Sequence, residues 1–299
     1  MISNNSQKIN STKNAALIYF SPYRATKKAG DEIVNSLALM EYRSDYFNIG
    51  QNEKKVCESL YKKLENYNLL VIGGPVYCEH MVGAIERFLK GLPSGEKEVI
   101  IYATFGGVCS GRVLPDMAAI LNRKGYKIIS AAKVKSEHSM MFISKRPLGR
   151  EMPGKENGPK LQAMVETSLN PINRQNGAGL TVKELTTQTR FVRILLKLLF
   201  NPKVMYLFFL PNVLYNPSNC NSCKACLKIC PAENLPDISL SEKFSNKKCL
   251  RCYNCVRVCR QGVYTARLKS FSYTLRVFYL LSFLFEKQRT EAYFPRVLN

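Results

Sequence analysis

Eight of the eleven cysteines in this 299-residue chain fall into two copies of one spacing. Cys220-x2-Cys223-x2-Cys226-x3-Cys230-Pro231 is followed by Cys249-x2-Cys252-x2-Cys255-x3-Cys259. Three thiolates two residues apart wrap a loop around one iron–sulfur cube, while the fourth, three residues further on, faces a second cube. The spacing therefore predicts a fold built around two 4Fe–4S clusters. Two tetrahedral zinc sites are the rival use of eight cysteines, but their usual spacings leave out the extra middle cysteine of each run. A disulfide framework fits less well still, because such frameworks belong to small secreted domains. The opening stretch MISNNSQKINSTKN is polar and carries no apolar signal segment, so residues 1–14 are expected to be disordered and the setting reducing and cytoplasmic.

The runs occupy only the stretch from about Asn219 to Ala266, so another domain is expected before them. Ala15 to Phe20, Leu69 to Ile72, Val99 to Ala103 and Lys127 to Ala132 are short apolar runs bounded by turn residues, as buried parallel strands would be. Arg43 to Asn48 reads as a weaker second strand. Ala25 to Met40, Glu53 to Asn66, Met81 to Lys90 and Arg112 to Lys124 show helical spacing of apolar residues, with Gly91 and Gly125 as stop signals. Pro159 to Leu169 reads as a closing helix. Strand then helix, repeated, predicts an α/β doubly wound parallel five-stranded sheet.

Ligands of such sheets bind at the carboxyl ends of the strands. The loop after the first strand offers Ser21, Thr26, several cations and a helix start, where unpaired amides accept an anion. The third strand ends in Gly73-Gly74-Pro75-Val76-Tyr77, and the fourth in Thr104-Phe105-Gly106-Gly107. Glycine lets backbone approach a planar ring, and Tyr77 or Phe105 would stack on it. No Gly-x-Gly-x-x-Gly follows the first strand, so a tightly held dinucleotide is not expected. His138 and His80, the only histidines, read as hydrogen-bonded structural residues.

Residues 15–170 resemble a flavodoxin-like FMN domain, and the whole chain resembles fusions of such a domain with a bacterial-type two-cluster ferredoxin. The resemblance implies a phosphate loop at Ser21, Arg24, Ala25 and Thr26, and ring contacts from Pro75, Val76, Tyr77, Thr104, Phe105, Gly106 and Gly107. It implies that the cluster ligands cross over: Cys220, Cys223, Cys226 and Cys259 hold one cube, and Cys249, Cys252, Cys255 and Cys230 the other. Three positions depart from the pattern. Tyr23 stands where a phosphate-binding threonine is usual, Arg24 where glycine is usual, and Arg260 where proline follows the last cysteine.

Residues 171–214 read as a linker and an amphipathic helix, with Thr189 to Leu210 strongly apolar yet carrying Arg190, Arg193, Lys197 and Lys203. Such charges argue against a span and favour packing between domains over lying on a membrane surface. Residues 215–268 form the small α+β ferredoxin domain, and residues 269–299 a docking helix, centred on Tyr273 to Phe285, and tail. From Thr186 to Asn299 there are eighteen Lys and Arg against five Asp and Glu, within a chain of net charge +22. Part of this offsets the negative clusters; the remainder suggests an acidic redox carrier as partner. No nucleic-acid-binding signature accompanies the charge. The expected function is electron transfer between two 4Fe–4S clusters and FMN. Two alternatives stay open: an enzyme reducing a small organic substrate at the flavin, and an iron–sulfur sensor or scaffold with an empty flavin site.

Overall fold

The computed structural model describes residues 13–145, 147–148, 157–176, 178–186, 194, 205–236, 244–282 and 291–294. The apolar runs form the middle of one sheet: β1 (Asn14–Tyr19), β2 (Arg43–Asn48), β3 (Leu69–Tyr77), β5 (Glu98–Phe105) and β6 (Lys127–Lys135). All five are parallel, in the order β2-β1-β3-β5-β6. This is the flavodoxin-like order, with its switch point between β1 and β3. Side chains alternate across the pleat, so Ala16 and Ile18 face one layer while Ala15, Leu17 and Tyr19 face the other.

Each face is covered by helices whose apolar stripe matches it. α2 (Glu53–Lys63), α3 (Gly83–Gly91) and α4 (Val113–Arg123) cover the first through Leu60, Phe88 and Met117. α1 (Ala25–Leu39) and α5 (Asn157–Leu169) cover the second through Ile33, Leu37, Leu161 and Val165. Gly73 is fixed by packing: a Cβ there would lie 1.9 Å from the ring carbon Cζ of Tyr102. That ring is fully buried and donates its hydroxyl to the carbonyl of Thr26 at 3.1 Å.

Two antiparallel strands extend the expected five. β4 (His80–Met81) folds back on the end of β3, pairing Tyr77 with His80. β9 (Glu291–Tyr293) pairs with β6 along Ala131 to Lys133, so part of the expected tail is an edge strand of the first domain. It brings Glu291 to 3.2 Å from Lys133, whose residue is 1% exposed.

Short helical turns α6 (Pro171–Asn176) and α7 (Val182–Leu185) lead away from α5. The second domain follows. It pairs β7 (Leu214–Tyr215) with β8 (Tyr264–Thr265) and carries α8 (Ala225–Ile229) and α9 (Asn254–Val258). Finally α10 (Leu268–Ser282) buries Leu268, Phe271 and Leu275 in a cluster shared with Met140 and Met141 of the first domain, as a helix docked on the seam. The expected disordered start falls, up to residue 12, outside the described residues, as does most of the amphipathic segment at 189–210. Among the described residues no helix is long and apolar enough to cross a membrane.

Candidate iron–sulfur and flavin site

The two cysteine runs fold as one repeated unit, displaced by 29 residues from Cys220 to Cys249. A single 3-10 turn precedes each, at Pro217–Asn219 and Asn246–Lys248. The second and fourth residues after each first cysteine are left-handed: Ser222 and Lys224 in one run, Arg251 and Tyr253 in the other. This winding turns amides inward onto sulfur, so the amide of Ser222 donates to Cys220 Sγ at 3.3 Å and that of Arg251 to Cys249 Sγ at 3.4 Å. Each run then enters its short helix, α8 or α9, which carries the third cysteine and ends at the fourth, Cys230 or Cys259, in extended conformation.

Cys220, Cys223, Cys226 and Cys259 line one cavity together with Tyr264. Cys230 lies among the electrostatic neighbours of Cys249, Cys252 and Cys255, so the fourth ligand of each run reaches the other set. Burial pushes Cys252 up to about 12 and raises Cys249 and Cys255 as well, with neighbouring sulfurs adding to the rise. Such thiols lose their protons only to a strongly cationic partner, which is what iron supplies. No three Cys, His, Asp or Glu side chains among the described residues close on a single metal ion.

A second cavity lies at the carboxyl ends of the strands, and three of the expected loops meet there. It is lined by Pro22, Tyr23, Ala25 and Thr26 after β1, by Pro75, Val76, Tyr77 and Cys78, and by Thr104 and Gly106 after β5. Ser136, His138, Ser139 and Met140, following β6, complete it. Thr26 and Thr104 share a hydroxyl hydrogen bond of 2.8 Å that ties the first loop to the fourth strand. At the start of α1 the amides of Ala25 and Thr26 meet no acceptor among the described residues, leaving an anion cradle. Those donors and the ring-facing loops fit an FMN.

Four expected site residues do not line this cavity. Ser21 instead caps α1, accepting the amide of Lys27 at 3.1 Å. Arg24 is exposed, with φ 64°, the left-handed conformation that the usual glycine adopts freely. Phe105 is 1% exposed: strand alternation turns it inward after Thr104. Gly107 faces Lys135 and Tyr279. His138 sits over Gly106, where a Cβ would meet its ring at 2.4 Å, and burial lowers its pKa to about 4. It stays neutral and accepts the amide of Met140 at 3.4 Å, the structural role its sequence context suggests.

The cluster domain covers this edge of the sheet. Tyr77 lies deep, with the thiols of Cys252 and Cys249 among its neighbours. Arg257 of α9 stacks on Tyr23, 3.7 Å from the ring centre, and on Phe142 at 4.5 Å, and donates to the carbonyl of Ser139 at 3.0 Å. Asn254 donates to the carbonyl of Pro22. Gln51, after β2, donates to the carbonyls of Leu227 and Cys230 at 2.8 and 3.1 Å. These contacts give the departure at Tyr23 a purpose: it is the platform on which the second domain rests. They join residues more than a hundred positions apart, and only the unusual Tyr23 marked one end of them in the sequence.

The strand order and the paired cysteine sets define an iron–sulfur redox protein with a flavodoxin-like domain. Residues 219–264 match the family model described as a 4Fe-4S dicluster domain. Adenylylsulfate reductase subunit beta of Megalodesulfovibrio gigas is 35% identical in an alignment 60 residues long that covers 17% of this chain and 36% of that protein. Among solved structures, a flavodoxin from the domain Archaea aligns over 52% of this chain and 99% of its own at 13% identity, TM-score 0.39. Oxidised flavodoxin 2 from Bacillus cereus aligns over 51% and 94% at 15% identity, TM-score 0.39. Rubredoxin oxygen:oxidoreductase from Desulfovibrio gigas aligns over 52% and 36% at 16% identity, TM-score 0.38. The chain thus spans about a third of the curated relative and of this oxidoreductase.

Proposed function

We propose that this protein passes electrons between two 4Fe–4S clusters and one FMN, linking one-electron and two-electron carriers. The observation that supports this most directly is a shared wall: Tyr77 lines the flavin cavity and lies against the thiols of Cys252 and Cys249. Bound in these places, clusters supply single-electron transfer and a flavin supplies two-electron chemistry. The chain's own residues do the rest. Cys220, Cys223, Cys226 and Cys259 hold one cluster, and Cys249, Cys252, Cys255 and Cys230 the other. The amides of Ala25 and Thr26 hold the phosphate, while Val76, Tyr77 and Gly106 shape the slot for the ring. Tyr77, Met140 and the Arg257 contact exclude water from the seam, which keeps reduced groups from side reactions.

The test is the cofactor content of the full chain, purified and reconstituted without oxygen, by iron, acid-labile sulfide and flavin assay. About eight irons with one FMN is the expected result. Eight irons without flavin, even after FMN is added, would remove the relay and leave a cluster scaffold. Zinc in place of iron would overturn the reading at its base.

A further inference from the structure

The two clusters differ in their access to solvent, and the difference gives the proposed relay a direction in space. Cys252 and Cys255 are 8% and 7% exposed, and Cys252 lies beside Tyr77 at the flavin cavity. Cys223, by contrast, is exposed, and it opens the cavity it lines to the surface. Lys224 lines the same cavity, and Lys228, one turn further along α8, borders the adjoining groove with Glu233; both lysines are exposed. Ile229 adds an apolar element, 38% exposed, next to Lys228. Between positions 205 and 282 the sequence carries eleven Lys and Arg against three acidic residues, Glu233, Asp237 and Glu242.

From this asymmetry we infer that the face around Cys223 is the port at which a small acidic protein, carrying a one-electron centre, docks and exchanges an electron with the outer cluster. The inference rests on the relay proposed above. Its occupant follows from charge: a basic surface with an apolar centre selects an acidic partner and steers it in, raising the association rate by tenfold or more at low ionic strength. The step balances simply. One electron leaves the partner's reduced centre, which is oxidised by one, and the outer cluster is reduced by one; no bond forms or breaks.

The test compares Lys224→Glu and Lys228→Glu with Lys160→Glu, which makes the same charge change on α5 of the first domain. Iron, sulfide and flavin are assayed first, so that loss of the clusters, which would sink the relay itself, is separated from loss of the port. Binding of an oxidised acidic two-cluster ferredoxin is then titrated calorimetrically, with no electron moving. Bleaching of the bound flavin by the same ferredoxin, reduced, is followed by stopped flow, because the iron–sulfur absorbance lost by one protein is regained by the other. We expect both port variants to weaken binding and slow bleaching about tenfold at low salt, with the difference fading at high salt. Reduction by the methyl viologen radical cation should not slow. Port variants that behave like Lys160→Glu toward the ferredoxin, with iron content intact, would overturn the assignment.

Discussion

The two halves of this molecule are held together by different means. In the first, every residue from Ala15 to Ile18 and from Leu69 to Ile72 is 0% exposed, and helices cover both faces of the sheet. The hydrophobic effect alone specifies such a body. In the second, Cys252, Cys255, Asn254 and Arg251 are buried beside a small apolar cluster that includes Val213, Val263, Tyr264 and Leu268, and among the described residues its only sheet pairs two residues with two. A region with so small a core should draw much of its free energy of folding from bound metal, as small metal-bound domains do. The comparison teaches that one chain joins a scaffold held by a two-sided apolar core to a passenger organised around its cysteines.

The largest effect should come from taking the iron away. Chelation, or Cys255→Ala, should abolish hydrogen-exchange protection across residues 213–268 while amides of β1, β3 and β5 keep theirs. Equal loss in both halves would break the comparison. Next, Gly73→Ala should strike the scaffold, because its new methyl enters the ring of Tyr102. A loss of about 3 kcal/mol, read from denaturant unfolding of the first domain, is expected. A smaller loss would show that the sheet yields more easily than its packing implies.

Acid should also act on the scaffold side. His138 is held neutral with a folded pKa of about 4, below its ordinary 6.5. As pH falls, the unfolded chain binds this proton first, so stability is intact above pH 6.5 and drains away between 6.5 and about 4, by roughly 3 kcal/mol in all. His138→Gln should flatten that slope in thermal unfolding across the window; parallel slopes would count against it. The smallest effect is a gain. Arg24 holds φ 64° without a side-chain cap, so Arg24→Gly should relieve strain and stabilise by about 0.5 kcal/mol. A destabilised variant would mean that the guanidinium does something the backbone does not show.

The cysteine pattern and the strand-and-helix rhythm were readable because both are local. Thiolate spacing is set by the reach of one loop around one cube, and buried parallel strands write unbroken apolar runs such as Leu69 to Ile72. The sequence was weaker where neighbours decide. Gly73 to Tyr77 reads as a turn from its Gly-Gly-Pro, yet pairing with β5 and with His80 draws it into the strand. Glu291 to Tyr293 has no strand signature of its own and becomes one by lying against β6. Phe105 looks like a ring-stacking residue at a strand end, but the pleat turns it into the interior. Arg257, one of the cations expected to offset the cluster charge of its own domain, lies near Cys252 and also grips Tyr23 of the other.

The return of the chain to β9 bears on how this protein can move. The backbone leaves the sheet after β6, builds the whole cluster half, and rejoins the same sheet edge at Glu291. A module hung from one strap swings; one buckled at both ends has far less play, and its docked position enjoys a high effective concentration. Electron delivery by a roving cluster arm is therefore a poor description of this design. The buckle is also chemical, since Glu291 answers the ammonium of Lys133 in the sheet, and a buried charge stripped of its partner is costly. Cutting the chain after α10 would unfasten the passenger and unsettle the scaffold in one stroke.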